Sequence, residues 1–228
     1  MSTLLKISKI HENLSIEFNR IANDLMNNHV CLAGTHEIRF AEIECYGFNK
    51  EYHNDISVHC DPIQAEFGKW YFHRSQPSLK FKPHNRIGLD LTFGNTEEGF
   101  SGGILIRAIQ LLPSEEYIYG PSKVVEKICE LAKIDDYAEL QETSVFNNSR
   151  LSVIPAELKS ETVFSGPRVG LKNPQNKYND TFYRFYIFPL LKHADKEKTL
   201  IPALLKQGVP PEQILKIFNR KSLSFLNY

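Results

Sequence analysis

Two glutamates stand two residues apart in the segment HEIRFAEIECYGF, at Glu42 and Glu44. Residues 37–47 alternate as a strand does, with Ile38, Phe40, Glu42, Glu44 and Tyr46 on one face and Arg39, Ala41, Ile43 and Cys45 on the other. A face that carries isoleucine and phenylalanine continues into carboxylates only where they meet water or a pocket, because burying an unpaired carboxylate costs several kcal/mol. The period of two sets the Tyr46 ring beside the Glu44 carboxylate. A carboxylate so placed either faces a pocket or is a strand end leaving the core.

Arg107 interrupts the apolar run GGILIRAIQ, and a guanidinium there needs a carboxylate or an anionic ligand. Asp90 sits between leucines in GLDLTF, as a hydrogen-bonded buried aspartate or on an exposed face. From Gly68 to Arg86 the chain carries Lys69, Arg74, Lys80, Lys82 and Arg86 with no acidic residue, interleaved with Trp70, Tyr71, Phe72 and Phe81. Cations bind phosphates and aromatic rings stack on bases, so the run suits nucleic acid; a solvated loop beside a core strand has the same composition. His53, His59, Cys60 and Asp61 fit none of the usual zinc spacings, so no metal site is assigned.

These residues need a scaffold. Residues 9–27 read as an amphipathic helix on the spacing of Leu14, Phe18, Ile21 and Leu25. Strands are expected at 69–74, 86–93, 103–111 and 183–188. In the second of these, Ile87, Leu89, Leu91 and Phe93 face one way and Gly88, Asp90 and Thr92 the other. A helix follows Ser122 as its N-cap. Residues 200–207 and 211–221 read as two short helices, either packed on the core or forming a helix–turn–helix reader. Strands that mostly precede the last helices predict an α+β fold with a mostly antiparallel central sheet and flanking helices.

The 228 residues suffice for one domain burying about 70% of its unfolded surface. Formal net charge is zero, so an anionic partner must be held by a local patch rather than by the whole chain. The cysteines Cys31, Cys45, Cys60 and Cys129 form no C-x-x-C pair and read as reduced core thiols. With neither a signal-like apolar run nor an 18-residue apolar stretch, an intracellular protein is expected, cytoplasmic in a bacterium or nuclear in a eukaryote.

Taken in order, five short motifs resemble the alkyladenine (3-methyladenine) DNA glycosylase family. They are Glu42-Ile43-Glu44-Cys45-Tyr46, Leu105-Ile106-Arg107-Ala108, Gly120-Pro121-Ser122-Lys123-Val124, Pro167-Arg168-Val169-Gly170 and Tyr183-Arg184-Phe185-Tyr186. The resemblance covers about residues 36–188, which implies a catalytic domain over 1–188 and an appended helical segment over 189–228. It implies that Glu44 is the general base, that Arg107 orients it, and that Tyr46 stacks on a flipped base. It also places His53 near a histidine that touches base or sugar, and aligns His73 with a second stacking tyrosine and Asp90 with an asparagine. Tyr46, His53, Tyr71, His73 and Asp90 are then the base pocket. The implied reaction is hydrolysis of an N-glycosidic bond in double-stranded DNA carrying a modified base. It needs no cofactor and leaves an abasic site. As an acceptor, an ionised Asp90 would favour a base with an exocyclic amine or a positive charge. A hypermodified base in foreign DNA, and a DNA-binding module without catalysis, are the other readings.

Overall fold

A computed structural model describes residues 4–7, 13–74 and 87–222 of the chain. It is an α+β protein built on a curled sheet whose pairings are all antiparallel. The strands are β1 (His29–Ala33), β2 (His36–Phe48), β3 (Phe67–Arg74), β4 (Ile87–Phe93), β5 (Ser101–Leu111), β6 (Tyr117–Tyr119), β7 (Leu151–Pro155), β8 (Phe164–Gly166) and β9 (Arg184–Tyr186). The main path runs β3-β4-β5-β2-β1-β7; β6 adds to β5, and β9 joins β2 to β8.

Two helices cover the sheet. Helix α1 (Leu14–Asn28) buries Phe18, Ile21, Ala22 and Leu25, and Asn13 caps it by accepting a hydrogen bond from the Ser15 amide at 3.0 Å. The residues before Asn13 in the sequence-read helix, 9–12, lie outside the described residues. Helix α2 (Pro121–Ala132) starts with proline at its first turn and Gly120 as N-cap. Ser122 is not the cap that its sequence position suggested. Its hydroxyl donates to the Ile87 carbonyl at 3.3 Å, tying the helix to β4.

Strand β2 organises the site, and its alternation breaks. Phe40 faces Ile109 and Glu42 faces Ala108, leaving Ala41 as an extra residue; Ile43 then faces Ile106, leaving Arg107 extra on β5. A bulge of this kind exchanges the two faces of a strand. Ile38 and Phe40 therefore lie in the same hydrophobic core as Ala41, Ile43 and Cys45. The expected sharing of one face by Ile38, Phe40 and the two glutamates is corrected by this bulge. It also removes the puzzle that a continuous strand would pose. Beyond the bulge β2 exchanges one neighbour, β1, for another, β9.

The C-terminal region holds a π-helical turn (Lys196–Leu200) that runs into α3 (Ile201–Lys206), followed by α4 (Pro211–Ile217). Ile201, Leu204, Ile214 and Phe218 form their own small core, with Phe164 of β8 packed against it. The apolar faces of this pair are thus used internally. Among the described residues no helix is long and apolar enough to cross a membrane. The cysteines are free; Cys31, Cys45 and Cys129 are buried, but Cys60 is exposed, so only three are core thiols.

Candidate active site

With the faces exchanged, Glu42, Glu44 and Tyr46 project together on the side of β2 away from the hydrophobic core. Glu42 is fully buried. Its Oε1 accepts from Arg107 Nε and from Arg184 Nε, both at 2.9 Å, and its Oε2 accepts from His193 Nδ1 at 2.6 Å. The other ring nitrogen of His193 lies 3.0 Å from the Phe188 carbonyl, so each ring nitrogen has an oxygen partner. Burial alone would raise the pKa of Glu42, but the His193 hydrogen bond and the Arg184 and Arg107 charges outweigh it and hold the carboxyl at about 2. His193 follows residue 188, so the helical segment after that point supplies part of this cluster.

Glu44 is equally buried but differently held. Its Oε1 accepts from the Val169 amide at 2.7 Å. Its Oε2 accepts from the Tyr46 hydroxyl at 2.7 Å and from Arg107 Nη1 at 3.3 Å. Arg107 therefore bridges the two glutamates, with its own extra-residue position on β5 bringing it to them. Burial would lower its pKa, but the Glu44 and Glu42 charges more than offset this and raise it.

Arg168, beside Val169, fixes the other side of Tyr46. Its guanidinium lies over the Tyr46 ring, 4.5 Å from the centroid. It also donates to the Cys45 carbonyl at 3.3 Å and pairs with Asp55 at 2.7 Å, both side chains being wholly buried. The Pro167-Arg168-Val169-Gly170 motif thus delivers a backbone donor to Glu44 and a cation to Tyr46. The sequence marked the motif but not these roles.

Tyr46 forms one wall of a cavity of about 150 Å³. His59, Gln64, His73, Asp90, Leu105 and Leu171 are among its other lining residues. His73 Nδ1 donates to Asp90 Oδ1 at 3.0 Å across the β3–β4 pair. The His59 and His73 rings meet edge to face, 5.3 Å apart. Tyr46, His73 and Asp90 are therefore brought together as expected, while Glu44 and Arg107 sit behind Tyr46 rather than on the cavity wall.

Other expected positions differ. His53 does not line this cavity: it is buried, its ring 4.1 Å from that of Tyr178, and burial, opposed by Asp55, lowers its pKa to about 4. His59 takes the place expected of it. Tyr71 stands behind His59, its hydroxyl 3.3 Å from His59 Nδ1. Trp70 and Phe72 face the hydrophobic core, with the indole nitrogen donating to the Leu151 carbonyl at 3.1 Å, and are not available to stack on bases. The alternation of β3 decides this, since residues 70 and 72 share the face opposite 71 and 73. Lys69 lies 3.5 Å from Glu66, an acid just ahead of the basic run. Arg74 closes β3; Lys80, Phe81, Lys82 and Arg86 lie outside the described residues. Among the described residues, no three His, Cys, Asp or Glu side chains converge to hold a metal ion.

Fold and site together define an α+β protein with a buried carboxylate–arginine cluster set behind a small polar cavity. No protein-family model matches the chain. It is 34% identical over 203 residues to uncharacterized protein L759 of Acanthamoeba polyphaga mimivirus, a match spanning 82% of this chain and 92% of the viral protein. The chain belongs to the same family as that protein.

Proposed function

We propose that this protein is a monofunctional DNA glycosylase, as its resemblance to the alkyladenine glycosylases implies. The observation that carries the reading is Glu44: a buried carboxylate held by Arg107 and the Val169 amide, one hydroxyl away from a cavity. An apolar cavity of about 150 Å³ can hold a benzene-sized ring, so this space admits the ring of one base extruded from a duplex. A base entering beside Tyr46 displaces its hydroxyl from Glu44 Oε2. That oxygen then takes a proton from water as the water adds to the sugar carbon, which carries oxocarbenium character once the base departs. Arg107 keeps the carboxylate aimed. No lysine of the chain is assigned a covalent role, so the product is an abasic site in an uncut strand.

Lys69, Arg74, Lys80, Lys82 and Arg86 are the proposed phosphate contacts. If roughly four phosphates are neutralised, log affinity falls against log salt with a slope of about −3.6, and charge reversal at Lys80 and Lys82 flattens it. An unchanged slope would place the DNA elsewhere. The reading itself is tested by incubating the full chain with duplexes carrying single modified bases and scoring alkali-labile abasic sites. Abasic sites at a modified base support it; intact duplexes across the panel refute it.

A further inference from the structure

The cavity contains a second pair of groups whose surroundings differ. One oxygen of Asp90, Oδ1, accepts from His73 Nδ1. Both line the cavity, and His73 is the more exposed of the two, with 24% of its side chain accessible against 4% for Asp90. The ring lies across β4 opposite Gly88: a Cβ there would fall 2.1 Å from His73 Cε1, so only glycine leaves room for it. The pair is therefore built into two facing strands. Since Asp90 fixes Nδ1 as a donor, Nε2 carries the exchangeable proton.

We propose, on the glycosylase reading, that His73 held by Asp90 is a general acid that protonates the departing base, and that the substrate is a neutral base presenting a carbonyl oxygen or ring nitrogen to it. As the bond between sugar C1′ and base nitrogen breaks, its electron pair stays with the base. The base takes the Nε2 proton, and His73 becomes neutral with Nδ1–H still bound to Asp90. Water gives hydroxide to C1′ and its proton to Glu44. Solvent then reprotonates His73 and accepts the proton from Glu44. A base that is already cationic gains nothing from this acid and is repelled by it.

The surrounding charges agree with this division. His73 faces Asp90 on β4, His59 from the preceding loop, Tyr71 on its own strand, Glu44 on β2 and Arg107 on β5. Burial would lower its pKa, but the Asp90 charge and hydrogen bond, with Glu44 behind, outweigh burial and Arg107 and raise it. His59 moves the other way, lowered by burial and then by His73. The two imidazoles are thus pushed apart, His73 towards its protonated form and His59 towards its neutral one.

The test uses the full-length protein, its His73→Gln variant, and duplexes carrying hypoxanthine or uracil as neutral bases and 7-methylguanine or 3-methylcytosine as cationic ones. Single-turnover release is compared with spontaneous loss. The wild type is expected to accelerate neutral bases more, with a rate that falls at alkaline pH as His73 loses its proton. His73→Gln should lose roughly 10²–10⁴-fold on neutral bases, less than tenfold on cationic ones, and the alkaline limb. Asp90→Asn should keep the limb but shift it to lower pH. Equal losses on both classes, or an unchanged limb in His73→Gln, would make His73 a wall of the pocket and overturn the proposal. A wild type that releases none of the four bases would remove the glycosylase reading itself.

Discussion

Glu42 and Glu44 are the same residue type on the same strand face, equally buried, and both touch Arg107. Their other partners separate them. Glu42 is met by Arg184 and His193, so both of its oxygens are taken up by buried side chains and Glu42 does not line the cavity. Glu44 is met by a phenol and a backbone amide, and its contact to Arg107 is longer, 3.3 Å against 2.9 Å for Glu42. A carboxylate saturated in this way is a structural anchor. One held by neutral donors, behind a cavity wall and with a single shared cation, can exchange those partners. The comparison teaches that burial alone does not separate an anchor from an exchangeable carboxylate; the partners do.

Neutralising the anchor should have the largest effect. Glu42→Gln leaves Arg107, Arg184 and His193 without their common anion, and breaking a buried pair in this way costs about 3–5 kcal/mol. Urea unfolding measures it, and a loss no larger than that of Glu44→Gln would erase the distinction between the two residues. Acid should then reveal the same anchor in the unmodified chain. The folded-state pKa of Glu42 is about 2 against an ordinary 4.5, so its contribution is complete above about pH 4.5 and is lost as pH falls towards 2. That contribution is on the order of 3 kcal/mol, from about 1.4 kcal/mol per unit of displacement. Stability that stays flat between pH 4.5 and 2, read by the same unfolding experiment, would contradict it.

Removing a partner of Glu44 should cost less. Tyr46→Phe deletes one hydrogen bond to a charged group, worth about 1.5–3 kcal/mol, while leaving Arg168 over the ring. On the glycosylase reading, the smaller destabilisation should come with a change in excision rate, which no change at Glu42 with intact folding should imitate. If Tyr46→Phe is as stable as the parent and as fast, the hydroxyl does not gate Glu44.

Much of this was legible in the residues. Charged side chains inside apolar strands marked Glu42, Glu44, Asp90 and Arg107, and the period of two placed Tyr46 beside Glu44. The antiparallel α+β class followed from the order of strands and helices. The bulge at Ala41 was not legible, because alternation counts residues and a bulge inserts one without a compositional signal. Nor were the partners that distinguish the two glutamates. Val169, Arg184 and His193 lie more than a hundred residues along the chain and reach β2 only through tertiary folding. His59 replaced His53 for a similar reason: both lie in the loop after β2, and the packing of Tyr178 on His53 decides which faces the cavity. The short β1 and β7 carry too few residues to show a period.

The most direct measurement compares binding and single-turnover base release for the parent and Glu44→Gln on one duplex. Gln keeps the shape and the Val169 contact but cannot accept the proton of water. Catalysis by Glu44 requires near-normal DNA affinity with release slowed about 10²–10⁴-fold. Release at the parental rate would show that Glu44, like Glu42, only holds the fold.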